Sequence, residues 1–174
     1  MNTRVLVLMS LLVGMGAVLH AAMPGVLGGM KLDLMLTMMF LGILLFPEKK
    51  NVLIIGIVAG VISALTTTFP AGQIPNMIDK PISAFAFFGL FLLVKKYSRN
   101  VVVASILAAV GTVVSGTIFL GSALLIAGLP GTSTFFGLFI GIVLPTAAMS
   151  AVLMIIVYPI AQQIIKRSRL IIQS

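Results

Sequence analysis

Val101 to Gly128 reads VVVASILAAVGTVVSGTIFLGSALLIAG, 28 residues without a charged side chain. A transmembrane helix needs about 20 predominantly apolar residues, so this run alone exceeds what a bilayer requires. Charge returns only at its edge, at Lys95, Lys96 and Arg99. On the other side Leu129-Pro130-Gly131 makes a turn before the next apolar stretch. Outward from this run the charged and Pro/Gly-rich clusters cut the chain into six apolar segments: Val5 to Met23, Leu32 to Phe46, Val52 to Phe69, Pro81 to Val94, Val101 to Gly128 and Phe135 to Ile165. The second and fourth are short. The last two are long enough to tilt or break, and Pro145 and Pro159 mark kinks in the sixth.

The composition agrees. The 174 residues are 60% hydrophobic, and only 8% are charged. A soluble domain is about half apolar and about a quarter charged, so there are too few polar side chains here to clothe a water-soluble globule. Abundant apolar surface excludes disorder, and the absence of Cys excludes disulfides and thiolate metal sites. The fold class is an all-α membrane protein, one six-span transmembrane domain over residues 1–174. The net charge of +8 sits between apolar runs, so it speaks of the bilayer and not of nucleic acid.

The placement of basic residues sets the orientation. In a six-span arrangement Arg4, Lys49, Lys50, Lys95, Lys96, Arg99, Lys166, Arg167 and Arg169 fall on one side, and Lys31 and Lys80 on the other. Basic residues in short loops are retained in the cytoplasm. Nine against two therefore puts both termini there. The first segment superficially resembles a signal peptide. Cleaving it would put Lys49 and Lys50 opposite the basic C-terminus, so it is read as a span.

The chemistry is as sparse as the charge. No Gly is followed by Lys, which excludes a Walker-type phosphate loop. One His and three acids, spread over four regions, do not make a catalytic or metal cluster, so neither an enzyme, a metal nor a cofactor is expected. What stands out is Phe69-Pro70-Ala71-Gly72-Gln73-Ile74-Pro75-Asn76-Met77-Ile78-Asp79-Lys80-Pro81, read as a rigid, turn-rich outer loop between spans three and four. As a lid over a small ligand it offers amides (Gln73, Asn76), an anion partner (Lys80), a cation partner (Asp79) and the nearby rings Phe69, Phe85, Phe87 and Phe88. The plainer reading makes Asp79 the cap of the fourth helix and Lys80 a snorkelling interfacial base.

Met23-Pro24-Gly25-Val26-Leu27-Gly28-Gly29-Met30-Lys31-Leu32-Asp33 repeats the theme, with Lys31 and Asp33 as further candidates and His20 just before it. On the first span Ser10, Gly14, Ala17 and Ala21 form one stripe of small residues. Such a stripe serves either packing within the bundle or docking of another membrane subunit. Gly56, Gly60 and Ala64 on the third span, and Gly137 with Gly141 on the sixth, are read as internal contacts.

These features together resemble an S-component of an energy-coupling-factor (ECF) transporter, a small six-span substrate-binding membrane subunit. More narrowly, Phe69 to Lys80, with Ala17-Val18-Leu19-His20 and Met23-Pro24-Gly25, resembles the tryptophan-specific, TrpP-like branch. The resemblance implies capture of tryptophan from outside a bacterial cell. It also implies association with an EcfT-like transmembrane protein and two cytoplasmic ATPases, through Ser10/Gly14 or Ala17/Ala21. A stand-alone ion-coupled amino-acid permease, with His20 as its protonation site, stays open as an alternative, as does an S-component for a vitamin.

Overall fold

The structure is a computed structural model that describes residues 3–25, 29–97 and 100–167; Val26, Leu27, Gly28, Arg99 and Arg169 lie outside the described residues. Within them every regular element is helical. The order is α1 (Thr3–Ala22), α2 (Leu34–Leu45), α3 (Lys49–Thr66), α4 (Gln73–Val94) with a closing 3-10 turn at Lys95–Tyr97, and α5 (Val101–Ile126). The sixth segment is α6 (Phe135–Leu138), a π turn at Phe139–Val143 and α7 (Leu144–Arg167), which follow one another without a break. Five of the segments are long and apolar enough to cross a membrane.

The remaining helix, α2, has 12 residues and all of them are buried. At about 1.5 Å per residue it is too short to cross a bilayer core alone. It packs against α1, α3, α4, α5 and α7, as the apolar axis around which the longer helices stand. Its Phe40 stacks on Phe87 of α4 with ring centroids 4.0 Å apart. Gly111 of α5 makes room for the pair, since a Cβ there would sit 2.7 Å from Phe87 and 2.8 Å from Phe40.

Helix α4 corrects the sequence reading most. It begins at Gln73 and not at Pro81, so Gln73, Asn76, Asp79 and Lys80 stand on its first turns and not in a lid. Pro75 is tolerated because it falls in the first turn, where backbone N–H groups have no helical acceptor. The helix is polar inside and apolar outside: Asn76, Asp79, Lys80 and Ser83 are buried, whereas Ile74, Met77, Ile78 and Ile82 are exposed. In lipid that is the stable arrangement, and it hides the helical signal from anyone looking for an apolar core face. Asp79 is therefore not a helix cap, nor is Lys80 an interfacial snorkeller. The capping carboxylate is Asp33, which accepts from the Leu36 amide at 3.0 Å at the start of α2.

The turn that precedes α4 is closed by Gly72 N–H donating to Phe69 C=O at 3.0 Å, with Ala71 at φ 54°. In the sixth segment the π turn falls just ahead of Pro145, whose ring and missing N–H disrupt regular α-helical bonding to the preceding turn. Gly56 and Gly60 of α3 do face α4, with Ala84, Pro81 and Asn76 as neighbours. Gly137 and Gly141 instead lie on an exposed face, so that pair is not an internal contact.

Candidate functional site

The α1–α2, α3–α4 and α5–α6 connections gather at one end of the bundle. There Thr68 donates its hydroxyl to Gly29 C=O at 2.6 Å, and Phe69 meets Phe119 edge-on at 5.3 Å. Below this join lies a cavity whose empty space, with the open solvent at its mouth included, is about 500 Å³. Its walls come from most of the helices: His20 from α1, Leu36 from α2, Asn76, Asp79 and Lys80 from α4, Thr112, Ser115, Gly116 and Phe119 from α5, Val143 from the π turn and Thr146 from α7. Met30, Lys31, Asp33, Thr67 and Phe69 come from the connections.

Seven of the candidate residues thus line one cavity: His20, Lys31, Asp33, Phe69, Asn76, Asp79 and Lys80. Gln73, Phe85, Phe87 and Phe88 do not. Gln73 is exposed at the helix start, and Phe85, 42% exposed, faces outward on the apolar side of α4.

The charges in the cavity divide into two groups. Asp79 is sealed. It accepts from Lys80 Nζ at 2.8 Å, from Ser83 Oγ at 2.6 Å and from Ser115 Oγ at 2.8 Å to each carboxylate oxygen. Lys80 lies between Asp79 and Asp33 and is paired with both. With side-chain exposures of 0% for Asp79 and 2% for Lys80, these two form a buried, hydrogen-bonded pair that fastens α4 to α5 and to the start of α2. A buried pair costs desolvation unless its lone pairs and protons are met, and the two serine hydroxyls meet them here.

Asp33 and Lys31 are more open. The Asp33 side chain keeps 18% of its surface exposed while it caps α2 and holds Lys80. Lys31 is half-buried, and its ammonium donates to two main-chain carbonyls, Thr66 at 3.0 Å and His20 at 3.4 Å. Among the described residues no carboxylate pairs with it. His20, 4% exposed, turns Nδ1 toward Asp33 Oδ1 at 3.5 Å, with no hydrogen-bond partner for that nitrogen. The polar head of the cavity thus combines a cation without a counter-ion, a carboxylate with exposed surface and an unsatisfied imidazole nitrogen. Beside it Met30, Leu36, Phe69, Phe119 and Val143 form an apolar slot.

Sequence reasoning missed the α5 and α7 walls. Thr112, Ser115, Gly116 and Phe119 recur at intervals of 3, 1 and 3, on one face of a helix, and that spacing was the available signal. Thr146 follows Pro145 directly. The small-residue stripe of α1 lies elsewhere: Ser10, Gly14 and Ala21 are exposed and Ala17 is half-buried. No atom comes within 4 Å of a Cβ built on Gly14, whereas one on Gly16 would meet Met35 at 2.8 Å. Packing within the bundle uses Gly16 and leaves the stripe on the outer face.

Residues 2–166 match the model of a family described as "Tryptophan transporter TrpP". The chain is 60% identical to a probable tryptophan transport protein of Bacillus subtilis, over 97% of this chain and 96% of that one. It is 40% identical to a probable tryptophan transport protein of Clostridium acetobutylicum, over 91% of each chain. A third, from Clostridium perfringens, is 36% identical over 98% of this chain and 97% of its own. No solved structure matches.

Proposed function

The chain belongs to the TrpP family of tryptophan transporters, and on that premise we propose that its cavity takes up tryptophan as the substrate-binding subunit of an ATP-driven ECF-type importer. One observation carries the binding mode: Lys31, a cation with no carboxylate partner among the described residues, lies two positions from Asp33, a half-buried carboxylate. A zwitterionic amino acid needs such a pair. Its carboxylate goes to Lys31, and its ammonium goes to Asp33 with the unsatisfied Nδ1 of His20 beside it. Charge-assisted hydrogen bonds are the strong ones and are stronger still away from water. The indole enters the slot of Met30, Leu36, Phe69, Phe119 and Val143, where edge and face contacts with Phe rings suit an aromatic ligand.

This assignment gives Asp79 and Lys80 a different task. Asp79 is fully buried and closed by Ser83 and Ser115, and Lys80 is held between two carboxylates, so they hold the cavity wall and do not bind ligand charge. In the proposed orientation the nine-base end of the bundle is cytoplasmic and the cavity opens to the exterior of a bacterial cell. The exposed stripe Ser10, Gly14, Ala17 and Ala21 then docks an EcfT-like protein, which links the subunit to two cytoplasmic ATPases. On this reading the chain needs no coupling ion of its own.

Purified protein should bind tryptophan saturably, with the signal read directly from ligand fluorescence because the chain has no Trp. In liposomes it should accumulate tryptophan only when the coupling protein and ATPases are present. Accumulation by the lone chain under an ion gradient would overturn the subunit reading in favour of an ion-coupled permease. In that case the unsatisfied His20 Nδ1 is the natural protonation site.

A further inference from the structure

The hydroxyl groups on the α5 and α7 walls are chemically one-sided. Thr112 donates its only hydroxyl hydrogen to Ala108 C=O at 2.8 Å, and Thr146 donates its own to Ile142 C=O at 2.6 Å. A carbonyl oxygen can only accept, so the direction of both bonds is fixed by chemistry. Each hydroxyl oxygen is therefore left with lone pairs and no free hydrogen, on a residue that lines the cavity. The two residues are 3% and 5% exposed.

They are also neighbours by register. A Cβ on Gly116 would lie 2.4 Å from Val143, which marks where α5 crosses the start of the last segment. These two elements are packed on each other, and as consecutive spans joined by a short connection they run in opposite directions. Thr112 is one turn before Gly116 and Thr146 one turn after Val143, so both fall on the same level, below the Phe69–Phe119 pair. The cationic donors of the cavity, Lys31 and Lys80, belong instead to the α1–α2 connection and to α4.

We infer that Thr112 and Thr146 form an acceptor pair that reads the indole N–H of the ligand and so selects tryptophan from aromatic amino acids that lack a ring donor. The inference rests on the tryptophan reading and extends it from the amino-acid head to the ring. A buried acceptor opposite a group with no hydrogen is left unpaired, and that asymmetry discriminates more strongly than ring size does.

The test compares L-tryptophan with 3-benzothienyl-L-alanine, in which sulfur replaces the ring N–H at nearly the same size, by calorimetric or competition titration of the full-length protein. The wild type should bind tryptophan at least about tenfold more tightly. Thr112→Val with Thr146→Val should bring the ratio near one by weakening tryptophan, while the single Thr146→Ser should keep the preference. Equal affinities in the wild type would overturn the inference, and so would a preference that survives the double substitution. If the double variant fails to fold, the wild-type ratio and the Thr146→Ser protein still decide. No saturable tryptophan binding at all would overturn the ligand assignment, and the inference with it. Equal binding of both compounds would leave that assignment standing.

Discussion

Ser115 on α5 places its hydroxyl 2.8 Å from both carboxylate oxygens of Asp79 on α4, so one hydrogen bridges two helices at the floor of the cavity. With Ser83 and Lys80 completing the shell, Asp79 has no capacity left for a ligand. Its expected role is structural. Asp79→Ala leaves Lys80 with Asp33 as its counter-ion and removes the charged acceptor of the Ser83 and Ser115 hydroxyls, at a cost of about 2–3 kcal/mol. Ser115→Ala removes one hydrogen bond and should cost about 1 kcal/mol. Thermal melting in detergent, with and without tryptophan, checks the order. An Asp79→Ala protein that melts like the wild type yet has lost tryptophan would move this carboxylate into the ligand shell.

Lys31 should behave in the opposite way, and Asp33, which also caps α2 and holds Lys80, should show both a structural and a ligand effect. Lys31→Gln is expected to melt within about 1 kcal/mol of the wild type, since its bonds go only to the Thr66 and His20 carbonyls. Its tryptophan affinity should fall about tenfold or more while tryptamine, which lacks the carboxylate, binds as before. Asp33→Asn should spare indole-3-propionate, which lacks the ammonium, and weaken tryptophan. A substitution that weakens both members of its pair of probes alike would show a general disturbance of the cavity and not loss of one charge contact.

The join over the cavity mouth depends on a glycine. Gly29 has φ +81°, and a Cβ there would lie 2.5 Å from Thr68 O. Left-handed backbone costs an L-residue about 1–2 kcal/mol, and the clash with main chain adds to it. Gly29→Ala should therefore lower the melting temperature and loosen the mouth, seen as a faster tryptophan off-rate. Gly14→Ala is the matched control. It sits mid-helix with open space around it, so replacing Gly there should gain about 0.5–1 kcal/mol.

The two long runs, Val101 to Gly128 and Phe135 to Ile165, announce themselves because lipid rewards uninterrupted apolar chain, and their helices start at the expected residues. The start of α4 was illegible for the same reason inverted. Asn76, Asp79 and Lys80 are polar at positions that point inward, and beside Pro70, Pro75 and Pro81 they look like a loop to any scan that equates polarity with exposure. Lys31, Asp33 and His20 could be found because ionisable groups are scarce in this chain and so conspicuous. Whether each one binds ligand or braces the wall was not legible. That depends on pairing across helices, and Asp79 and Asp33 are told apart by the Ser83 and Ser115 hydroxyls that the fold brings to Asp79 alone. Thr112 shares a helix face with Ser115, Gly116 and Phe119, whereas Thr146 was hidden because a threonine that bonds back to its own helix carries no periodic signal of its own.

The outer face of α1 is the last feature whose role can be decided by substitution. No atom lies within 4 Å of a methyl placed on Gly14, and Ser10 and Ala21 are exposed beside it, so bulk added here does not disturb the bundle from within. Gly14→Leu should leave melting nearly unchanged, Ala17→Leu at a half-buried position should lower it slightly, and both should keep tryptophan affinity within about twofold of the wild type. A partner helix that docks through small residues requires close backbone approach, and a leucine at the contact removes it. Uptake in liposomes that contain the coupling protein and ATPases should therefore collapse, and co-purification of the coupling protein should fall with it. Gly16→Leu supplies the contrast: Met35 lies 2.8 Å from its Cβ position, so this variant should melt early and lose ligand binding as well. Full uptake by Gly14→Leu and Ala17→Leu would remove the α1 stripe from the docking surface and leave the partner to bind another exposed face.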